Sequence, residues 1–291
     1  MTGTNPPTGD GATPPCTIVS RPILLDVSRL VWRRWAGRPP TGIDRVCLAW
    51  LRHFAARSHA VLQWRGRVRV LNARQSARLF ALLDRGDGGF RTRFGAMLPM
   101  IAAGAGHSGD CAGRLYLNVG HTGLNHPGLS RWIAAQGVRA VFMVHDLIPI
   151  THPQFCLPGE AARHARRMGN ALLAASGIIA NSATTRDELA RFGHARALPR
   201  PPMLAVWLGS QALPPVIAPP RFDRPWFVTV GTIEGRKNHL LLLQLWRNLA
   251  RIMGNAAPLL VVVGQRGWQS APALAMLEGD AVIGAHVVEW A

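Results

Sequence analysis

"RAVFMVHD", residues 139–146, decides the fold. Residues 140–144 are apolar without interruption, whereas a strand with one face in water alternates apolar and polar residues. An unbroken run of this length reads as a strand covered on both faces, the environment of a parallel sheet sandwiched between helices. The run passes directly into His145-Asp146. In open parallel sheets ligands bind outside the carboxyl ends of the strands. The pair therefore stands where a histidine and a carboxylate can bind a polyhydroxylated substrate or move a proton. The plainer reading has Asp146 capping the next turn and His145 filling a niche.

Working outward, the same pattern repeats. Strands are expected at "PILLDVS" (22–28), "AVLQW" (60–64), "RVRVL" (67–71), "RLYLNVG" (114–120), "GIIANS" (177–182) and "MLAVWLGS" (203–210). Between them lie helical patterns: "GIDRVCLAWLRHFAAR" (42–57), a helix near 73–84, "GLSRWIAAQG" closed by Gly137, "GEAARHARRMGNALLAAS" (159–176), and "ATTRDELARFG" (183–193) capped by Ser182 or Thr184. "LIPITHPQF" (147–155) reads as a loop punctuated by proline, and "AMLPMIAAGAG" (96–106) as a short helix or loop. Residues 210–225 carry five prolines and little periodicity, as an interdomain linker does. Afterwards the pattern restarts with strand "WFVTVGT" (226–232), helix "NHLLLLQLWRNLARIM" (238–253), strand "PLLVVVG" (258–264) and a last short strand "HVVEW" (286–290). Alternating strands and helices predict an α/β fold with mostly parallel sheets in two Rossmann-like lobes. The expected organisation is a disordered tail over 1–20, a first lobe over 21–209, a Pro-rich linker over 210–225, and a partial second lobe over 226–291.

Composition sets the outer limits. The 291 residues carry a formal charge of +18 and are 48% apolar, with 4 cysteines far apart in sequence. That cysteine spacing argues against a zinc site or a disulfide framework and for reduced cytosolic thiols. No apolar run approaches the roughly 18 residues needed to span a bilayer, so membrane contact is expected to be peripheral. The basic excess fits a polyanionic neighbour: nucleic acid, an anionic membrane face or phosphate-bearing ligands. Arginine bias from a GC-rich genome explains it equally well. A basic nucleic-acid-binding protein is the reading from another class. No nucleic-acid module is recognisable, however, and the cations are spread along the chain, so no specific nucleic-acid partner is expected.

Three further stretches carry candidate chemistry. "PTGIDRV" (40–46) opens a helix with Gly42, a glycine that lets backbone amides approach an anion, beside Arg45; as a plain turn residue Gly42 needs no ligand. "NVGHTGLNHPG" (118–128) follows a strand with His121, Thr122 and Asn125, hydrogen-bonding groups suited to a sugar or simply to a polar surface loop. "VGTIEGRKNH" (230–239) holds Lys237, the only lysine of the chain, next to Arg236. There a strand ends at Gly231-Thr232, and the two cations and Asn238 lead into a helix. Arginine binds two phosphate oxygens at once and lysine acts as a point charge, so a diphosphate is the natural guest; two solvated cations are the alternative. Phosphate-loop, nucleophile-elbow, zincin and D-x-D metal motifs are absent, and no metal or cofactor is expected.

"DVSRLVWRRWAGRPPTGIDRV", "VHDLIPITHP", "ANSATTRDEL" and "VGTIEGRKNHLLLL", in that order, resemble the retaining glycosyltransferases of family 4, the group 1 type with the two-lobed GT-B fold. The resemblance runs from about residue 21 to about residue 267. It implies a first lobe for the acceptor and a second for most of a nucleotide-sugar, facing each other across a cleft. It implies that Arg236 and Lys237 hold the donor diphosphate and stabilise the leaving group. By the same resemblance Gly42 approaches the phosphates and His145 sits near the transferred sugar, mannose or a relative, with no metal needed. The acceptor implied is a cell-envelope or capsular polysaccharide, or a lipid-linked glycan at the inner face of the cytoplasmic membrane. Gly235 replaces the proline of the family's E-P-R-K-N stretch. The family's later E-G-[FY]-G-L-P-x-x-E-A stretch, with its two donor-binding glutamates, is not reached, so the expectation is a truncated chain. A non-catalytic remnant that binds acceptor or partner is the second reading within this fold.

Overall fold

The computed structural model describes residues 21–86, 88–103, 111–210, 215 and 222–290. The expected tail at 1–20 and most of the expected linker lie outside the described residues. The chain divides into two compact units: Met1–Pro153 with Pro158–Gly209, and Ser210–Ala291 with Gln154–Leu157.

The first unit is built on seven strands: β1 (Ile23–Asp26), β2 (Ser58–Trp64), β3 (Arg67–Val70), β4 (Leu115–Asn118), β5 (Arg139–Val144), β6 (Gly177–Ala180) and β7 (Met203–Ala205). Their order is β3-β2-β1-β4-β5-β6-β7, and every neighbouring pair is parallel except β2 with β3. Helices α1 (Ser28–Trp35), α2 (Gly42–Phe54), α3 (Ala73–Arg85), α4 (Phe90–Ala102), α5 (Pro127–Gln136), α6 (Ile148–Thr151), α7 (Glu160–Ala174) and α8 (Ala183–His194) connect and cover them. Alternate strand residues feed opposite faces. Ile23, Leu25, Leu117 and Met143 pack with Leu51, Leu79 and Leu83 of α2 and α3 on one side. Leu24, Tyr116, Ala140 and Phe142 pack with Leu129, Ile133 and Ala171 of α5 and α7 on the other. Both faces are thus closed, as the apolar run at 140–144 requires.

The second unit contains β8 (Trp226–Val230), β9 (Leu259–Val263) and β10 (Val287–Trp290), all parallel in the order β10-β9-β8, with α9 (His239–Met253), α10 (Ala271–Gly279) and α11 (Ala281–His286). Ile233, Leu243, Trp246, Ala273 and Ile283 close over Leu260 and Val262.

Several local expectations change. α1 intervenes between β1 and Gly42, so Gly42 opens the second helix. The segment expected to be a loop at 147–155 coils into α6 and a 3₁₀ turn at Pro153–Phe155; proline is tolerated in a first helical turn, where its missing N–H leaves no bond unmade. Residues 271–286, between the last two expected strands, form two helices for which no pattern was read, the second capped by Asp280, whose Oδ1 accepts from the Val282 and Ile283 amides.

Candidate functional site

At the carboxyl ends of β4 and β5 the first unit holds a cavity of about 340 Å³, lined by groups that include Gly120, His121, Thr122, His145, Asp146 and His164. The β4 strand delivers the 119–123 turn. His121 adopts φ 59°, a left-handed conformation uncommon for a side-chain-bearing residue. Its Nε2 lies 2.6 Å from the Met143 carbonyl. The β5 strand delivers His145, whose Nε2 lies 2.8 Å from the Val119 carbonyl. The Asp146 side chain accepts from the Ile148 amide at 3.1 Å, so it closes the turn that leads into α6 while its residue lines the cavity. Thus His121, Thr122, His145 and Asp146 come together. Asn125 is exposed and Gly42 is not among the lining residues, although its neighbour Ile43 is.

A carbonyl oxygen only accepts, so Nε2 of His121 and of His145 carries the proton and Nδ1 keeps a lone pair. Burial holds both imidazoles, and that of His164, below the ordinary range. They are neutral at pH 7, and each of the first two offers an acceptor suited to a hydroxyl. His164 is spent structurally: its Nε2 meets the Asp146 carbonyl at 3.1 Å, and its Nδ1 faces Arg167 at 3.3 Å.

A buried polar network supports the turn from beneath. Asp26, at the end of β1, accepts from Tyr116 at 2.7 Å and from Gln63 at 2.5 Å. Gln63 and Asn118 also donate to the Thr122 carbonyl at 3.1 and 2.8 Å. Burial raises the Asp26 carboxyl above its usual range despite these bonds. Arg29 crosses above Gly120 so closely that a Cβ there would stand 2.7 Å from the Arg29 side chain. Its guanidinium pairs with Asp44 at 2.7 Å. Sequence reading missed Arg29, Glu160, His164 and Arg167. The last three recur at positions i, i+4 and i+7 of α7, one face of a helix, and that spacing was the available signal.

The second unit holds the other candidate group. β8 ends at Val230, just before Gly231, and the chain turns through a 3₁₀ helix, Gly235–Lys237, before α9. The two cations therefore stand in the turn ahead of the helix, with Asn238 at φ 55° as the joint. The turn is pinned to the end of β9: Ile233 N donates to the Gln265 carbonyl and Gly267 N to the Ile233 carbonyl, each at 2.9 Å. Gly264 is required there, because a Cβ would lie 2.0 Å from the Gly231 carbonyl oxygen. Lys237 is exposed and its Cε runs back toward Gly231. Arg236 is engaged with Glu234 at 2.6 Å, which the sequence did not foretell. Gly231, Thr232, Arg236, Lys237 and Asn238 thus form one turn. His239, directly behind it, is buried with neither ring nitrogen bonded.

Among the described residues no group of His, Cys, Asp and Glu could hold a metal ion, and no helix is long and apolar enough to cross a membrane. Burial pushes the Cys47 thiol up to about 12, so it is no nucleophile.

No family model matches the chain, and no curated protein matches it. Among solved structures, a variant of S. aureus TarM in complex with fondaparinux, alpha-GlcNAc-glycerol and UDP is 12% identical over 61% of this chain and 33% of that one, with a TM-score of 0.41. Phytolacca americana UGT2, complexed with UDP-2fluoro-glucose and pterostilbene, is 12% identical over 94% of this chain and 72% of that one, with a TM-score of 0.35. The chain spans about a third of TarM's length, and at these scores the likeness carries no weight for function; the α/β assignment rests on the seven-stranded, mostly parallel sheet itself.

Proposed function

We propose that this chain binds a nucleotide-sugar and transfers its glycosyl group, a hexose such as mannose, to a glycan or lipid-linked glycan with retention. The observation that carries the reading is the strand-end cavity. Two neutral imidazoles line it beside Thr122 and Asp146, a set of hydrogen-bonding groups that matches sugar hydroxyls. The turn at 231–238 supplies the complementary chemistry, a cationic seat for a diphosphate.

In this reading the bond between the anomeric carbon and the diphosphate oxygen breaks while an acceptor hydroxyl oxygen bonds to the same face of that carbon. The acceptor proton passes to the departing phosphate. Negative charge grows on the leaving group, and Lys237 with Arg236 stabilises it most in the transition state. Arg236 serves once a phosphate outcompetes Glu234 for its guanidinium. His145 and His121 orient hydroxyls of the transferred sugar and acceptor; Gly42 is assigned to the phosphates by the resemblance alone.

The test is release of nucleoside diphosphate from a panel of nucleotide-sugars, with and without glycan acceptors. Acceptor-dependent release is expected from at least one donor, with His145→Ala lowering kcat/KM about tenfold or more, as for loss of a buried hydrogen-bond partner. Absence of release from every donor, or a His145→Ala variant as active as the parent, overturns the proposal.

A further inference from the structure

The cationic turn of the second unit encloses a carboxylate and an imidazole that are both short of partners. Glu234 Oε1 lies 2.6 Å from Arg236 Nε. That oxygen is buried, yet among the described residues it accepts no hydrogen bond. The contact is therefore an ion pair without the aligned N–H that makes a charge-assisted bond strong. The Arg236 side chain is 40% exposed, and ion pairs this open to water hold by a small margin.

His239 is the first residue of α9. The buried residues of that helix are His239, Leu243, Trp246 and Ala250, a single stripe. Leu243 and Trp246 pack with Leu260 and Val262 of β9, so the stripe faces the sheet, and His239 carries it to the strands' carboxyl ends. His239 is 5% exposed, and neither ring nitrogen has a partner among the described residues. An apolar residue fits such a stripe without cost, whereas a buried polar group left unbonded forfeits its hydration. Burial keeps the imidazole below its ordinary value, hence neutral in the free protein; Glu234 favours its protonated form and Lys237 opposes it. Charged groups of the neighbouring elements are engaged with one another. Arg266 pairs with Glu278 of α10 and Glu289 of β10, and Arg247 with Asp280, the cap of α11, at 3.6 Å.

We propose that Glu234 and His239 form a latch on the anion seat. In the free protein Glu234 neutralises Arg236. When a diphosphate takes the guanidinium, the Glu234 carboxylate passes to His239, which takes up one proton from solvent. Only that N–H bond forms; no other covalent bond changes. Phosphate then faces arginine and carboxylate faces imidazolium, so both charges are balanced and both unpartnered groups are bonded. Left without such a receiver, the displaced carboxylate would repel the arriving phosphate. His239 is thus a positioning residue that acts through Glu234 and has no need to touch the ligand, in keeping with its burial. The latch rests on the reading of this turn as a diphosphate seat and adds to it a device that keeps the empty seat neutral.

The test is calorimetric titration of the full chain with UDP-glucose, GDP-mannose and ADP-glucose, each in two buffers of equal pH and different ionisation enthalpy. A diphosphate esterified at both ends has no proton to exchange near neutral pH, so uptake belongs to the protein. With the donor that binds, uptake of up to about one proton is expected, and affinity that rises as pH falls. His239→Leu is expected to abolish the uptake and to weaken binding about fivefold to tenfold, while the urea midpoint of the free protein equals or exceeds the parent's. His239→Gln keeps a neutral donor for Glu234 and is expected to restore most of the affinity and none of the uptake. Glu234→Gln is expected to bind about threefold tighter or more, and in that background His239→Leu is expected to change affinity by less than about twofold. Binding by the parent without proton uptake overturns the latch and leaves the seat standing. Uptake that persists in His239→Gln, or equal loss from His239→Leu in both backgrounds, marks a structural histidine and overturns it likewise. Absence of binding by the parent and by Glu234→Gln alike removes the seat itself, and the latch with it.

Discussion

The two sheets of this chain meet their surroundings differently. In the first unit β1 is buried at every residue, and its alternate side chains fill a core on each face. In the second unit four of the five residues of β8 are exposed, among them Val230 at 77% and Phe227 at 58%. Parallel sheets are stable when both faces are covered. The first unit therefore holds its candidate site through deeply packed strands and a buried polar network. The second holds its candidate turn through a few backbone bonds between 231–235 and 264–267 and one packed face.

The largest test of that contrast is truncation within each sheet. Phe142→Ala removes a ring with no exposed surface and is expected to cost about 3–5 kcal/mol, measured by urea unfolding. Val230→Ala is expected to change stability by no more than about 0.5 kcal/mol. Comparable losses at the two positions break the comparison. One step smaller, Tyr116→Phe withdraws the hydroxyl that bonds Asp26 and Asn118, and is expected to cost about 1–3 kcal/mol.

Acid sharpens the same contrast. His59, His121, His145 and His164 of the first unit, and His239 of the second, are held by burial below the ordinary value of 6.5. The unfolded chain then binds more protons than the folded one as pH falls below 6.5. The stability these groups contribute is full above that pH and is lost as pH drops toward their lowered values. Asp26, raised by burial, works in the opposite direction. Four imidazoles against one predict that the first unit's amides lose hydrogen-exchange protection sooner between pH 7.5 and about 5.5. Equal acid sensitivity of the two units contradicts this.

The smallest contrast lies at helix starts. Ser182 accepts from the Thr185 amide at 3.1 Å, so Ser182→Ala is expected to cost about 1 kcal/mol in thermal unfolding. Asn238 caps α9 with no side-chain bond and with φ 55°, so Asn238→Gly is expected to be neutral or to stabilise by a few tenths of a kcal/mol.

What the sequence disclosed follows the same physics. Unbroken apolar runs such as 140–144 placed the strands, and the strand-end rule singled out His145-Asp146 and, separately, His121, Thr122 and Asn125; the fold brings all but Asn125 to one cavity. α1 stayed hidden because it is eight residues long, has Val27 at its N-cap with no side-chain capping bond and mixes tryptophan with arginine. α10 stayed hidden because its apolar residues run around the helix with no face to read. Arg29, His164 and Arg167 were missed because a polar helix face is normally solvated, and only the tertiary fold shows which one meets a cavity. Glu234 next to Arg236 was visible in sequence, but its ion pair depends on the 3₁₀ turn.

The central claim is that the turn at 231–238 seats a diphosphate for glycosyl transfer. Calorimetric titration of UDP, GDP and ADP into the parent chain and Lys237→Ala tests it most directly. One of these nucleotides is expected to bind the parent and to bind Lys237→Ala about tenfold or more weakly, the loss typical of a charge-assisted contact. Failure of all three to bind, or equal affinity in the two proteins, contradicts the account.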